Sequence, residues 1–210
     1  MRVIVVVGDV MGRVGESGGI EAAGFAATVA SAAAAAGSRV ELVTRLGEDE
    51  AGDAVILGLA RAGIGHVATL RDAGRGTPVI SSPDDEAGAD LDDDGVSSVA
   101  QPPTGPTLEA ADVGLALRYL SDYRVIVVSH PSDDGVLAEA VAAAGWSSAH
   151  LVVITSAEVE TPVPAEAIAV AAEPGAEAVA ERVGRYAASI DSGGDLDAAY
   201  AALTGANAES

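Results

Sequence analysis

The sequence predicts an α/β protein with three layers, in which helices cover both faces of a mostly parallel β-sheet. The first observation is three runs of Val and Ile without polar alternation, at 2–7, 124–129 and 150–155. Such runs are typical of strands that are buried on both faces. The second is that helical segments separate the strands at the spacing of βαβ units. The third is a composition of 49% hydrophobic but only 3% aromatic residues, which indicates a core of small side chains.

Local patterns predict each element in turn. Strands are predicted from Val, Ile and Leu runs, and the helices from apolar residues at helical spacing, several of which stop at a glycine such as Gly37, Gly63 or Gly145. The predicted strands are 1–7, 40–43, 66–72, 77–81, 124–129, 150–155 and 167–172. The predicted helices are 20–36, the segment with Val55 to Ala60, 108–120, 135–144, 175–188 and 196–203. A glycine-rich connection at 11–19 precedes the first helix, and a turn at 74–76 predicts a hairpin that projects from the sheet.

The charge excludes some partners. The chain has 32 acidic residues and 11 basic residues, all Arg, for a net charge of −21. This argues against nucleic acid, which is bound through cationic contacts to phosphate, and against anionic membrane surfaces. Solubility is the favoured interpretation of the charge, and an acidic surface for a basic partner is the alternative. The acidic segment at 83–94 is interpreted as a solvated loop rather than a carboxylate-rich metal site.

Compartment and membrane association follow from what the sequence lacks. It has no cysteine, so we expect neither disulfides nor thiolate metal sites. The apolar start at 1–7 is too short for a signal peptide or a membrane span. We therefore expect a cytoplasmic location and no membrane partner.

Ligands of open α/β sheets lie at the carboxyl ends of the strands. The positions at these ends are Gly8-Asp9, 45–47, Ser129-His130 and 155–156. Structural roles are favoured for the three histidines, and His130 is the best of them for a ligand contact because it follows an apolar strand.

Several segments together carry a family resemblance. They are VVVGDVM at 5–11 before the long Ala-rich helix, RLGEDEAGD at 45–53, LARAGI at 59–64, Gly76-Thr77 before a strand, and the helix and strand of 111–129. With these segments the chain resembles the ribokinase/PfkB carbohydrate kinase family, as a short and degenerate member. The resemblance implies a single ribokinase-like domain at 1–205 with a reduced lid around 66–100, followed by a tail at 206–210. It also implies ATP and magnesium as cofactors if the protein is active, and none otherwise.

The resemblance implies a site for a small sugar-like molecule at Asp9, Gly24, Thr28 and His130. Three features of the family are altered there. Arg13 stands where an Asp normally accepts substrate hydroxyls, and a guanidinium only donates hydrogen bonds. The Gly-Gly pair and Asn that open the long helix are replaced by the segment 23–28, with one Gly, Phe25 and Thr28. The Arg of the lid turn is missing at 85–87.

Two alignments of the C-terminal part stay open. In one, 190–195 is a remnant of the family's catalytic segment, with backbone N–H groups of Ser192, Gly193 and Gly194 holding the phosphate charge and Asp195 as the base. In the other, which is favoured, 167–205 corresponds to the family's magnesium-motif segment. Glu177 then matches the motif's Glu, Pro174 replaces its Asn, and the chain ends before the catalytic segment.

The function expected from these departures is that of a non-catalytic carbohydrate-kinase homologue that acts by binding or assembly, as a homodimer. The alternative is a minimal ATP-dependent sugar or nucleoside kinase with Asp195 as the base.

Overall fold

The computed structural model describes residues 3–15, 18–80, 105–156, 163–173 and 176–204. The predicted acidic segment, the lid turn at 85–87, Pro174 and the tail at 206–210 lie outside the described residues.

Six parallel strands form the large sheet, in the order β5-β4-β1-β7-β8-β9. Their bounds are β1 Val3–Gly8, β4 Val40–Gly47, β5 Thr69–Asp72, β7 Tyr123–Ser129, β8 His150–Thr155 and β9 Ile168–Ala171. The β1 strand lies at the centre, pairs with β4 and β7, and is buried along its whole length. The Val and Ile runs are therefore the inner strands, because only inner strands of a sheet covered on both sides are buried on two faces.

Helices form a layer on each face. Residues of α1 (Phe25–Ala35), α2 (Glu50–Arg61), α5 (Glu177–Asp191) and α6 (Leu196–Thr204) form one core cluster with the inward side chains of the sheet. Residues of α3 (Ala110–Tyr119) and α4 (Asp134–Ser147) form the other. The predicted three-layer α/β fold is confirmed.

A second, smaller sheet has the order β3-β2-β6, with β2 at Met11–Val14, β3 at Ile20–Ala23 and β6 at Val79–Ile80. It corrects two predictions. The helix predicted over 20–36 begins only at Phe25, because Ile20–Ala23 pairs antiparallel with Met11–Val14 and Gly24, with a φ of 99°, ends the strand. Antiparallel pairing with the preceding strand outweighs helix propensity here.

The hairpin predicted around 74–76 is also wrong. The first of its strands, β5, pairs with β4 in the large sheet, whereas β6 pairs with β2 in the small one. The intervening turn therefore connects two sheets.

The helices α1 and α5 pack closely against each other in the core. A Cβ placed on Gly184 would lie 2.5 Å from the carbonyl oxygen of Val29 and 2.7 Å from the Cβ of Ala32. Glycine at this position therefore lets the two helix backbones approach each other more closely than any other residue would.

We expect Gly184→Ala to destabilise the protein by about 1–3 kcal/mol because the helices must separate. The matched control is Gly145→Ala in α4, where an added Cβ meets nothing within 4 Å and helix propensity predicts a gain of about 0.5–1 kcal/mol. Urea unfolding measures both free energies. Equal effects of the two substitutions would contradict the close-packing argument.

Candidate functional site

The candidate site lies at the carboxyl ends of β1 and β7, which are neighbours in the middle of the sheet. Gly8 and Ser129 are register partners at these ends. Asp9 and His130 follow them directly, so the sheet brings these two predicted site residues together.

His130 is held on several sides. Its ring lies 4.7 Å from the ring of Phe25 in an edge-to-face arrangement. Its Nε2 lies 3.4 Å from the carbonyl oxygen of Ala172, and its Nδ1 lies 3.3 Å from the hydroxyl of Ser129. The residue has a φ of 46°, which is uncommon for a residue other than glycine. These contacts fix His130 as part of the wall of the site.

Asp9 lies at the opening of the site. The residue is exposed at the surface, but neighbouring protein atoms remove part of the hydration of its carboxyl and so raise its pKa, and a hydrogen bond from the backbone N–H of Leu108 partly opposes this shift. The cavity beside Asp9 and His130 has a volume of about 10 Å³, about enough for one water molecule. Gly24 and Thr28 do not line this cavity, so its volume does not measure the site that the resemblance implies for a sugar-like molecule.

The N-terminus of α1 lies close to the same site. A Cβ on Gly24 would lie 3.6 Å from the carbonyl oxygen of Asp9, so the helix start approaches the β1 turn closely. The backbone N–H of Thr28 is bonded to the carbonyl of Gly24 within the first turn. Phe25 lies between these two residues and contacts His130, and it occupies space that a smaller side chain would leave open.

Arg13 and Glu177 form an ion pair across this edge. Arg13 belongs to β2 of the small sheet, and Glu177 is the first residue of α5, a helix that covers the large sheet. The pairing occupies the carboxylate that the resemblance implied for magnesium. No group of three or more His, Asp or Glu side chains within the described ranges could hold a metal ion. In nucleotide sites Mg²⁺ is held by one or two carboxylates together with phosphate oxygens and water, and Glu177 would contribute to such a site only if its ion pair with Arg13 opened.

The segment 191–195 lies at the opposite edge of the sheet. Arg124, near the amino end of β7, donates a hydrogen bond to the carbonyl of Asp191 at 3.4 Å. Ser129 lies five residues further along the same strand, or about 16 Å at the rise of a β-strand. Asp195 is therefore far from Asp9 and His130.

Local hydrogen bonds explain why this segment looks like an anion-binding turn. The N–H groups of Gly193 and Gly194 bond to the carbonyls of Ile190 and Ser189 and so end α5. The Ser192 hydroxyl also donates to Ser189, at 2.9 Å. The Asp195 carboxylate accepts the N–H of Ala198 at 2.8 Å and so caps α6. A helix end followed by a helix start produces the same Ser-Gly-Gly-Asp pattern, and the structure does not bring these four residues to the site.

A carboxylate that the sequence did not single out organises the connection between the two sheets. Asp49 caps α2 by accepting the N–H of Gly52 at 2.8 Å. It also accepts the N–H of Thr77 at 2.6 Å and the hydroxyl of Thr77 at 2.8 Å. Partial burial raises the pKa of Asp49, but the hydrogen bonds from Gly52 and Thr77 and the charge of Arg71 outweigh it, so the pKa lies below its usual range.

Comparison with known proteins gives structural matches only. No protein-family model matches the sequence, and neither does any curated protein. Fructokinase from Xylella fastidiosa matches with 18% identity and a TM-score of 0.54, over 97% of this chain and 69% of that one. The fold is ribokinase-like. 2-Dehydro-3-deoxygluconokinase from Thermotoga maritima matches with 16% identity and a TM-score of 0.53, over 74% of this chain and 51% of that one. Aminoimidazole riboside kinase from Salmonella enterica matches with 15% identity and a TM-score of 0.51, over 73% of this chain and 50% of that one.

The structural neighbours are thus ribokinase/PfkB-family sugar kinases, and one fructokinase structure contains ATP. The chain spans about half the length of several of them, 51% and 50% in the last two cases. At identities below a fifth, the likeness establishes the fold. In the described part of the chain, no helix has the length and apolar character needed to cross a bilayer.

The Asp49 network predicts a pH-dependent contribution to stability. We expect Asp49→Asn to lower the free energy of unfolding at pH 7 by roughly 1–3 kcal/mol, because an amide NH₂ cannot accept the bond from Thr77. A lowered pKa in the folded state means that this contribution is present above the unfolded pKa of about 3.9 and is lost as pH falls through the folded value. The gap between variant and wild type should therefore narrow below about pH 4.

Asp133→Asn is the matched control, because Asp133 also caps a helix by accepting the N–H of Val136 at 2.8 Å. Asn is as good a cap as Asp, so the control should change the free energy of unfolding by less than about 0.5 kcal/mol. Urea unfolding at several pH values measures both variants. A gap for Asp49→Asn that stays constant to pH 3 would contradict the assigned network.

Proposed function

We propose that this chain is a carbohydrate-kinase homologue that does not transfer phosphate and acts by binding or assembly. The kinase-like fold is the starting point, since the structural neighbours are sugar kinases. A small sugar-like molecule is the proposed ligand at Asp9, Gly24, Thr28 and His130, and a homodimer is the proposed assembly.

The Arg13–Glu177 ion pair carries the proposal. Phosphate transfer to a polyol needs a carboxylate that accepts and positions the reacting hydroxyl. Arg13, at the corresponding position, only donates hydrogen bonds, which can still hold the oxygen atoms of a sugar. A nucleotide–magnesium complex needs free carboxylates, and Glu177 is already paired with Arg13. The Arg13–Glu177 contact thus joins the residue at the substrate-binding position to the residue at the magnesium-binding position, as the resemblance implies these positions.

The position of Asp195 supports the same proposal. A general base must lie within hydrogen-bond reach of the proton that it removes, or one water molecule away. Asp195 caps α6 near the amino end of β7, whereas Asp9 and His130 lie at the carboxyl ends. The alternative of a minimal sugar or nucleoside kinase with Asp195 as base would need a substrate at that far edge.

Nucleotide binding and turnover test the proposal. We expect titration calorimetry with ATP and Mg²⁺ to give no binding heat, and ADP release to stay at background with sugars and nucleosides as acceptors. Loss of the stabilising donors of a phosphate-transfer site lowers turnover by about two to three orders of magnitude for a single donor, and here the acceptor carboxylate and the base are displaced together. Asp195→Ala should behave like the wild type.

The opposite results are equally clear. Sugar-dependent ADP release that disappears in Asp195→Ala would refute the proposal in favour of the minimal kinase. Arg13→Ala tests whether a nucleotide–magnesium site is absent or only blocked by the ion pair. The substitution frees Glu177, and the loss of an exposed pair lowers the free energy of unfolding by only about 0–1 kcal/mol. We expect this variant to bind no ATP–Mg²⁺; gain of binding would contradict a non-catalytic site.

A further inference from the structure

An exposed apolar groove lies far from the Arg13–Glu177 pair, between the edge strand β5 and the helix α3. Three large side chains at this groove are exposed: Val67 at 60%, Leu115 at 62% and Tyr119 at 71%. They line one depression of about 430 Å³ together with Leu70. Contiguous apolar surface of this kind usually marks an interface.

The groove exists because the helix layer on this face stops at α3. In the described part of the chain, α3 and α4 form this layer over β1, β7 and β8. The strand β5 is the last of the large sheet and pairs with β4 on one side. Its second edge therefore has no strand partner among the described residues, and the groove runs alongside it.

Charge at the groove decides which partner fits. Asp112 is the one charged residue that lines it, and Arg45 holds its carboxylate at 3.1 Å. The groove is thus close to neutral on a chain with a net charge of −21. A cationic partner finds no unpaired carboxylate in the groove, whereas two copies of this acidic chain can approach each other through such a neutral surface with the least repulsion.

We propose that this groove is a two-fold interface between two copies of the chain. The β5 strands pair antiparallel across the axis and extend the sheet, and Leu115 and Tyr119 of each copy pack into the groove of the other. A two-fold axis satisfies both edges at once, because an isologous interface uses the same surface on each copy. The inference locates the dimer of the proposed function, but it holds whether or not the protein binds nucleotide.

Molecular mass in solution is the first test. Sedimentation equilibrium should give twice the chain mass of 20.6 kDa. Salt should strengthen the dimer, because the Debye length falls to about 3 Å at 1 M and repulsion between acidic surfaces is screened. Leu115→Glu and Tyr119→Glu should each raise the dissociation constant of the dimer by at least ~100-fold, because a two-fold interface contains two copies of each substituted side chain.

Trp146→Glu is the matched control, because Trp146 is 67% exposed on α4, outside the groove. It should leave the mass unchanged. Circular dichroism confirms that all three variants fold. A wild-type protein that stays monomeric at high concentration and high salt overturns the proposal. The proposal is also overturned if the groove binds a different protein instead of a second copy of this chain. A dimer that Leu115→Glu leaves intact overturns it as well.

Disulfide trapping gives an independent reading, since the chain contains no cysteine. A mixture of Tyr119→Cys and Val67→Cys chains should form a mixed intermolecular disulfide with an oxidant, because Tyr119 of one copy packs into the groove that Val67 lines on the other. Trp146→Cys mixed with Val67→Cys should not. The reverse pattern would place the interface on α4 and overturn the proposal. None of these measurements involves nucleotide, so a failure here is distinguishable from a failure of the proposed function.

Discussion

The carboxylate of Asp49 is the interaction on which the arrangement of the two sheets depends. It caps α2, and it also holds the backbone and hydroxyl of Thr77, two residues before the small-sheet strand β6. The same hydroxyl accepts the N–H of Gly47 at the end of β4. The large sheet, the first turn of α2 and the approach to the small sheet therefore meet at one residue. Because these bonds are charge-assisted, they are stronger than bonds between neutral groups.

This junction places the small sheet beside the carboxyl edge of the large one. From there β2 directs Arg13 to Glu177 at the start of α5. The pair spans the edge at which open α/β sheets bind their ligands. The fold is ribokinase-like, and the resemblance implies an acceptor carboxylate at the position where Arg13 supplies a donor. This contrast is the basis for proposing binding without phosphate transfer.

Much of the fold could be predicted from the sequence, because the inner strands carry their own signal. The Val and Ile runs of β1, β7 and β8 contain almost no polar residue, so burial on both faces was evident before any pairing was known. The segment Ile20–Ala23 was different. Its Ala-rich composition favours a helix, and only its pairing with Met11–Val14 makes it a strand.

The site was predicted less completely. The sequence placed Asp9 and His130 at strand ends because both follow buried strands, and the structure brings these two strand ends side by side. The segment Ser192–Asp195 gave a misleading signal, because glycines and a capping Asp serve a helix end as readily as an anion site. The sequence shows Asp49 only as one of several acidic residues in a turn, and its bonds to Gly52 and Thr77 could not be predicted from that pattern.

The sequence by itself determined the class of fold and the identity of the inner strands, because periodicity and unbroken apolar runs are local properties of the chain. Only the tertiary structure decided which edge of the sheet each polar group occupies. It placed Asp195 at the amino edge, paired Arg13 with Glu177 at the carboxyl edge, and left Tyr119 exposed beside β5. These outcomes depend on contacts between residues far apart in the chain, and no local pattern encodes them.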